Sequence, residues 1–158
     1  MFIRVTGGSA SQKKHIPSVI NFCVEKLMPR MKDLNITVRL VDLSKTDAYG
    51  FCTADPEGDA TRGDRPREFE LEIHKNMSLR KVLETVCHEM VHVKQYARGE
   101  LYESSRIAKH RWQGKWLHKD PDYWDCPWEI EAAGREAGLF IRWCEKEGLG
   151  KKKWTRDS

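Results

Sequence analysis

The sequence predicts a single α+β domain, and three observations support this prediction. The chain has 158 residues, which suits one domain with a substantial core and is short for two. Its first half alternates short strand patterns with one helical pattern. Its second half carries two longer amphipathic helical patterns, which would pack on the sheet that the strands form. We therefore expect one domain over residues 1–150 and a basic tail over residues 151–158.

Composition and charge exclude several classes of protein. Charged residues make up 33% of the chain, and no apolar run approaches the roughly 18 residues of a membrane span, so we expect no membrane partner. The first residues lack the basic and then apolar order of an export signal, which favours a cytoplasmic location. The five cysteines, an odd number without CxxC spacing, favour reduced thiols over a disulfide framework.

Four strand patterns and one helix are predicted before residue 75. The strands are FIRVT at 2–6, ITVRLVDL at 36–43, AYGFCT at 48–53 and the alternating EFELEIH at 68–74. A helical pattern over residues 16–32 lies between the first two. We expect the strands to form a small, mainly antiparallel sheet with this helix packed on it. The stretch 53–67 is rich in turn formers and charge and is predicted to be a flexible surface loop.

The second helix is predicted to begin after Ser78, a favourable N-cap residue, and to end at Gly99. Its apolar residues recur at steps of three and four and form a core stripe. His88 and His92 are not on this stripe. They share a separate face with Glu89, so this face either meets solvent or lines a site.

The third helix is predicted to enter through Pro127 and to run from Trp128 to Glu147. On a helical wheel, Glu129 lies at the centre of the apolar face, whereas Glu131 lies on the solvated face. A carboxylate in an apolar face is costly unless it is paired with a cation or bound to a metal. We therefore expect Glu129 to have a cationic partner.

Between these helices, residues 99–127 have weak periodicity and many aromatic side chains, and we expect an irregular cover over one side of the domain. Two basic segments stand out, at 106–119 and 150–156. Their simplest interpretation is a solvated loop and a frayed terminus. The alternative is that they bind a polyanion such as nucleic acid.

The spacing HExxH at residues 88–92 predicts a metal site. Two histidines four apart on a helix direct two imidazoles to one ion, and the intervening Glu89 can accept a proton. Zinc in a hydrolase usually takes three protein ligands and keeps a fourth position for water. We therefore predict one Zn²⁺ ion per chain, held by His88, His92 and Glu129. Manganese or another divalent ion stays an alternative.

Other residues are weaker candidates for the third ligand. His110 and His118 follow the motif at a permissive distance, but both lie in the irregular region and would leave a buried glutamate unexplained. Cys126 is a further alternative. His15 and His74 are interpreted as surface or strand-end residues without a role in the site.

The motifs HEMVH and PWEIEA, at 88–92 and 127–132, resemble the gluzincin metallopeptidases. In that family a helical HExxH motif is joined by a glutamate from a downstream helix, often in a glutamate-x-x-alanine pattern, which Glu129 and Ala132 match. The resemblance covers residues 68–140 and extends to small HExxH proteins of bacteria and their phages. It implies a zincin-like minimal metallopeptidase domain. A second resemblance is to SprT-like proteases, which act near DNA and use a third histidine.

The implied activity is hydrolysis of peptide bonds by a metal-activated water, with Glu89 as general base. Several related families have an acidic or amide residue four positions after the glutamate, where this chain has Ala133. Glu136, close to the same face, is predicted to orient a ligand histidine instead. His118 and Tyr123 are the candidates for stabilising the oxyanion.

The gluzincin resemblance also implies that the strand at 68–74, just before the metal-binding helix, is an edge strand with which a substrate peptide can pair antiparallel. Two other classes of function stay open. One is a structural or regulatory zinc module, with Cys126 or His110 closing a four-ligand site. The other is a nucleic-acid-binding protein that uses the segments 106–119 and 150–156, with or without proteolysis. Neither explains a glutamate at position 89 as well as a peptidase acting on peptides or proteins does.

Overall fold

The structure is a computed structural model that describes residues 1–56, 65–104 and 109–156. In these ranges it has three α-helices and seven strands, and the predicted α+β class is confirmed. In chain order the elements are β1 (Phe2–Thr6), α1 (Ala10–Leu27), β2 (Asn35–Val41), β3 (Gly50–Ala54), β4 (Glu68–His74), α2 (Leu79–Ala97), β5 (Leu101–Ser104), β6 (Lys109–Trp112), β7 (Lys115–Trp116) and α3 (Pro127–Glu147). Short 3₁₀ turns at Tyr123–Asp125 and Lys153–Arg156 flank α3.

The first four strands form a mixed sheet in the order β1-β2-β4-β3. Across both sheets, three of the five described strand pairs are antiparallel. Within this sheet, however, the expected antiparallel pairing holds only for β3 with β4, whereas β1 with β2 and β2 with β4 are parallel. Strands β1 and β2 are parallel because α1 is a crossover helix between them, which returns the chain to the end of the sheet where β1 began. Strands β2 and β4 are parallel because the intervening strand β3 runs opposite to both and lies outside β4.

Alternate residues of the two central strands bury one face of this sheet. Ile36 and Val38 on β2, and Leu71 and Ile73 on β4, are inaccessible to solvent. They form one core with the apolar stripes of α1 and α2, and α3 packs on the outside of α2. The opposite face is polar, as the ion pair between Arg39 and Glu70 shows. The core thus sets α2 rigidly against the sheet.

The helix boundaries show which local sequence signals were sufficient to predict where a helix begins or ends. The predicted start of α2 is confirmed, because the side chain of Ser78 accepts a hydrogen bond from the Lys81 N–H. The predicted bounds of α3 are also confirmed, with Pro127 in the first turn and Gly148 in the left-handed conformation after the last. By contrast, α1 begins at Ala10 and ends at Leu27, earlier than the predicted 16–32. A capping box of Ser9 and Gln12 sets its start, six residues before the apolar pattern begins.

Residues 99–127 are more regular than expected. They contain a three-stranded antiparallel sheet in the order β5-β6-β7, hereafter the hairpin sheet. Gln113 and Gly114 both have positive φ at the turn between β6 and β7, as a two-residue hairpin of this type requires. The strands are two to four residues long. Such short strands hold too few residues to show a period of two, so the pattern was not recognisable.

The basic C-terminal segment is packed on the domain and is not frayed. Trp154 contacts the core, with its ring 5.3 Å from that of His15 and 6.4 Å from that of Trp143. The next residue, Thr155, is buried, and its carbonyl accepts a hydrogen bond from Arg80 at 2.8 Å. The described part of the tail therefore contributes to the core between α1, α2 and α3.

Two predictions fall partly outside the described residues. These are the flexible loop, of which 57–64 are outside, and the first basic segment, of which 106–108 are outside. Within the described ranges, the helices are all too short or too polar to cross a membrane.

Substitution Trp154→Ala is expected to lower the free energy of unfolding by about 2 kcal/mol, because it removes a large side chain that is packed on the core. Urea denaturation followed by circular dichroism would measure the loss. Lys153→Ala, at an exposed neighbouring position, is the control and should change the stability little. Equal stability of the two variants would mean that the tail is not docked in solution.

Candidate metal centre

The candidate metal centre lies where α2 and α3 face each other. His88 Nε2 lies 3.1 Å from Glu129 Oε2, and His92 Nε2 lies 3.0 Å from Glu129 Oε1. The three side chains, predicted as ligands, are thus brought together, with one possible ligand atom from each within 4.8 Å of the others. They form a group that could hold a metal ion.

The geometry and chemistry of this group fit a divalent ion. When ligand atoms lie about 2.0–2.2 Å from a tetrahedral zinc ion, neighbouring ligand atoms are roughly 3.3 Å apart. The observed distances of 3.1 and 3.0 Å join the two imidazoles to different oxygens of Glu129, and one ligand atom from each residue lies within 4.8 Å of the others, so the group has the size of such a site. Glu129 is buried, and both of its oxygens face imidazole nitrogens. A buried carboxylate in this position needs a positive partner, which a proton on each imidazole or a single metal ion can provide.

The charges in the group are strongly coupled. Burial alone would lower the pKa of His88, but hydrogen bonds to Glu129 and Glu136 raise it to about 10. Burial alone would raise the pKa of Glu129, but hydrogen bonds from His88, His92 and Tyr123 bring it well below its usual range. The carboxylate therefore stays ionised. Metal uptake at neutral pH should displace protons from the imidazoles.

Each histidine has a second contact that orients its ring. His88 Nδ1 lies 2.7 Å from Glu136 Oε2, as predicted from the position of Glu136 on α3. His92 Nδ1 lies 2.8 Å from Gln95 Oε1, a contact that the sequence did not predict. A hydrogen on each Nδ1 leaves both Nε2 atoms free to bind an ion.

The orientation of the Gln95 amide is fixed by three partners. Its nitrogen donates to the Trp128 carbonyl and to Glu131 Oε1, both at 2.9 Å, so its oxygen must face His92. Glu131 also accepts a hydrogen bond from the buried ammonium of Lys94 at 2.7 Å. The prediction that Glu131 lies on a solvated face is therefore wrong. A wheel of α3 alone could not show that α2 covers this position.

Glu89 is buried beside the group but is not part of it. Its carboxylate is next to Gly50 on β3, where a Cβ atom would lie 3.0 Å from Glu89 Oε1 and 2.9 Å from Thr85 Cγ2. Glycine leaves room for the carboxylate here, because a side chain would crowd both Thr85 and Glu89 and one of them, or the strand, would have to shift. Burial raises the pKa of Glu89, which suits a group that accepts and releases a proton.

The alternative ligands lie elsewhere. His110 Nδ1 is 2.6 Å from Asp120 Oδ2, and its ring packs on Trp128. The Cys126 thiol donates to the Pro121 carbonyl, and His118 is exposed. Neither His110 nor Cys126 completes a closed four-ligand site with the described group.

The two histidines to which no role was assigned are also distant from the group. His74 Nδ1 accepts a hydrogen bond from the Leu43 N–H. His15 lies between the rings of Trp143 and Trp154. Of the two oxyanion candidates, Tyr123 is near the group, because its hydroxyl donates to Glu129 Oε2 at 2.9 Å, and His118 is not among the residues that line the cleft there.

The metal-binding group lies at the bottom of a cleft of about 760 Å³. One wall is β3, and the opposite wall is formed by the start of α3 and the turn before it. The prediction that the strand at 68–74 is an edge strand is wrong, because β4 lies between β2 and β3. The edge strand beside the cleft is β3, since β4 is its sole strand partner in the described ranges. The prediction of β4 as an edge strand came from the family resemblance, and the alternation in the strand could not correct it, because alternation reports burial and not the order of strands.

Comparison with protein-family models, with curated proteins and with solved structures finds no match to this chain. The family resemblance of the two motifs therefore stays a prediction. What the site can do must be argued from its own geometry.

Zinc affinity of purified variants, measured by competition with a chromophoric chelator, tests the ligand set. Glu129→Ala and His92→Ala each remove a ligand, so we expect affinity to fall by more than the roughly 10- to 100-fold that loss of an outer contact costs. Glu131→Ala acts on His92 only through Gln95, so it should lower the zinc affinity about 10-fold.

Glu145→Ala, on the exposed face of α3, is the control for this series, and circular dichroism would verify equal folding. Native affinity in the Glu129→Ala variant would exclude this residue as a ligand.

Proposed function

We propose that the protein is a zinc-dependent metallopeptidase of zincin-like architecture. The observation that carries this proposal is the position of Glu89. It is a second buried carboxylate that lines the same cleft as His88, His92 and Glu129 without belonging to the ligand group. A metal that only joins two helices needs no such neighbour, whereas hydrolysis requires a base beside the ion.

A bound zinc ion would supply the nucleophile from water near neutral pH and would polarise the peptide carbonyl. Glu89 accepts the proton that the attacking water loses and then donates it to the departing amide nitrogen. Its burial raises its pKa, so the carboxyl group can retain the proton between these two steps. Gly50 keeps the carboxylate close to the strand and aimed into the cleft.

Tyr123 is the best candidate for stabilising the oxyanion. Its hydroxyl is 2.9 Å from Glu129, and its ring is half exposed at the mouth of the cleft. Burial of the hydroxyl and its contact with Glu129 raise its pKa, so it keeps its proton at neutral pH. It can therefore donate a hydrogen bond to a developing negative charge on the substrate.

The free edge of β3 suits an extended substrate. Gly50, Phe51 and Cys52 of this strand line the cleft directly beside the metal-binding group. A peptide that pairs with β3 would extend the sheet by one strand, and its backbone would lie across the site. We infer that the substrate is a peptide or an unfolded segment of a protein.

A second candidate function, binding of single-stranded nucleic acid, is favoured by the outer face of the hairpin sheet. Tyr102, Arg111 and Trp116 are register partners across its three strands. The Arg111 guanidinium lies 4.9 Å from the Tyr102 ring and 5.7 Å from the Trp116 ring. Arg65 and Arg98 line a depression next to Trp116. Aromatic rings beside arginines bind bases and phosphates without sequence preference.

Glu89→Gln is expected to lower peptide hydrolysis by about 10³-fold, because it removes the general base while keeping the shape of the side chain. Mass spectrometry of a peptide mixture, incubated with zinc-loaded protein, would measure cleavage. Glu84→Gln makes the same change on the same helix, at a residue paired with Arg80, and should keep full activity. Equal activity of both variants would exclude Glu89 as the base.

Trp116→Ala is expected to weaken binding of a labelled single-stranded oligonucleotide by at least about fivefold, since it removes a stacking surface. Fluorescence anisotropy would measure the affinity, which should also fall steeply with salt. Trp124→Ala, at another exposed tryptophan, is the control. Binding that is insensitive to Trp116→Ala, or displaced equally well by an acidic peptide, would exclude this surface as a nucleic-acid site.

A further inference from the structure

The two ends of the cleft differ in chemistry, and the metal-binding group lies between them. Along β3, Gly50 and Cys52 point towards α2, because alternate residues of a strand share a face. Gly50 lies beside Thr85 and Glu89. Cys52, two residues further along the same face, lines the cleft with Glu89 and Tyr96, and it contributes to the raised pKa of Tyr96. The direction of β3 therefore follows that of α2 along the cleft.

The end beyond His92 is apolar. It is lined by Cys52, Tyr96, Leu101 and Trp128, which we call the apolar pocket. Leu101 and Trp128 are buried in a small hydrophobic cluster beneath the hairpin sheet. Burial also raises the pKa of Tyr96, so its phenol is neutral. None of these four side chains carries a charge at neutral pH.

The walls of the apolar pocket are held in place by contacts outside it. The Trp128 ring packs against those of His110 and Trp112, with centroids 4.9 and 6.1 Å away. Leu101 lies on β5 and pairs in register with Trp112 of β6. The pocket is therefore preformed, so a substrate side chain could enter it without the cost of ordering these walls.

The opposite end of the cleft is polar. Its lining includes Thr46, Asp47 and Lys81. The Lys81 ammonium lies 5.0 Å from the ring of Tyr49, which is half exposed at this end. Burial of a bulky apolar substrate side chain would release less free energy here than in the apolar pocket, because charged groups keep this end hydrated.

The direction of β3 determines which part of a substrate meets each end. A peptide that pairs antiparallel with β3 runs from the Ala54 end of the strand to the Gly50 end. Its residues before the cleaved bond then lie beside Cys52 and Tyr96. Its residues after the cleaved bond lie towards Tyr49 and Lys81.

We propose that the apolar pocket binds a large aliphatic or aromatic side chain on the residue immediately before the cleaved bond. The substrate residues after the cleaved bond meet the polar end of the cleft, so they need no large apolar side chain. The substrates are therefore peptides cleaved on the C-terminal side of a bulky apolar residue. This inference rests on the proposed peptidase function.

The first test is to map cleavage sites in an unbiased peptide mixture by mass spectrometry, with the zinc-loaded full chain. The expected result is a several-fold enrichment of phenylalanine, tyrosine, leucine or methionine immediately before the cleaved bond. Cleavage without enrichment there would overturn the inference and leave the peptidase function intact. Enrichment after the bond would overturn it too, because it would reverse the direction of the peptide.

Absence of cleavage by a protein that holds one zinc ion per chain would instead overturn the peptidase function. The apolar pocket can still be tested in that case by binding. The zinc-loaded Glu89→Gln variant would be titrated with a labelled blocked peptide that contains one phenylalanine, and with its glycine analogue. We expect the phenylalanine peptide to bind at least about tenfold more tightly. Equal affinities would overturn the pocket assignment.

A variant that fills the pocket provides the specific control. Cys52→Leu adds volume on the inner face of β3 and should lower kcat/KM about tenfold for peptides with phenylalanine before the cleaved bond. Peptides with alanine at that position should lose a smaller factor, so the ratio of kcat/KM between the two peptides should fall several-fold. Thr53→Leu makes a comparable change on the outer, exposed face of the same strand and should alter neither. Equal losses for both peptides would contradict the inference, as would a loss with Thr53→Leu.

Discussion

The organisation of the site depends on one buried carboxylate, Glu129, which is shared by two imidazoles. It comes from α3, whereas His88 and His92 come from α2, so this single side chain joins the two helices electrostatically. A carboxylate at this depth is unfavourable without a positive partner. Each carboxylate oxygen of Glu129 therefore faces one imidazole, and the Nε2 atoms of His88 and His92 converge on the same small volume. The requirement to neutralise Glu129 thus produces the arrangement that a divalent metal ion needs.

Different neighbouring residues hold the two histidines of this arrangement in position. Glu136 orients His88 with a carboxylate, whereas Gln95 orients His92 with an amide. Gln95 can do so because Glu131 and the Trp128 carbonyl take up both hydrogens of its amide nitrogen. The N-terminal turn of α3 therefore supplies Glu129 to the group and, through Gln95, also positions His92 on the other helix. Loss of packing between α2 and α3 would disturb both at once.

Local periodicity was sufficient to predict which three side chains come together, because His88, His92 and Glu129 each depart from a regular pattern on their own helix. It was also sufficient for the ends of α2 and α3, where capping residues act within a few positions. Features that depend on distant pairing were not predictable. The parallel strands, the edge position of β3 and the close approach of Glu89 to Gly50 follow from which elements become neighbours. The role of Gln95 was missed for the same reason, since the two acceptors of its amide nitrogen, which leave its oxygen facing His92, lie more than 30 residues away.

The hairpin sheet connects the two candidate functions through its opposite faces. Its inner residues, Leu101 and Trp112, contact or support Trp128 and so shape the apolar end of the cleft. Its outer residues, Arg111 and Trp116, form the basic and aromatic surface. Neighbouring residues of a strand point to opposite faces of a sheet. Arg111 therefore lies on the outer face and Trp112, the next residue, on the inner face. Binding at the outer face and hydrolysis in the cleft would therefore use different side chains of one sheet, so they need not be competing explanations of this chain.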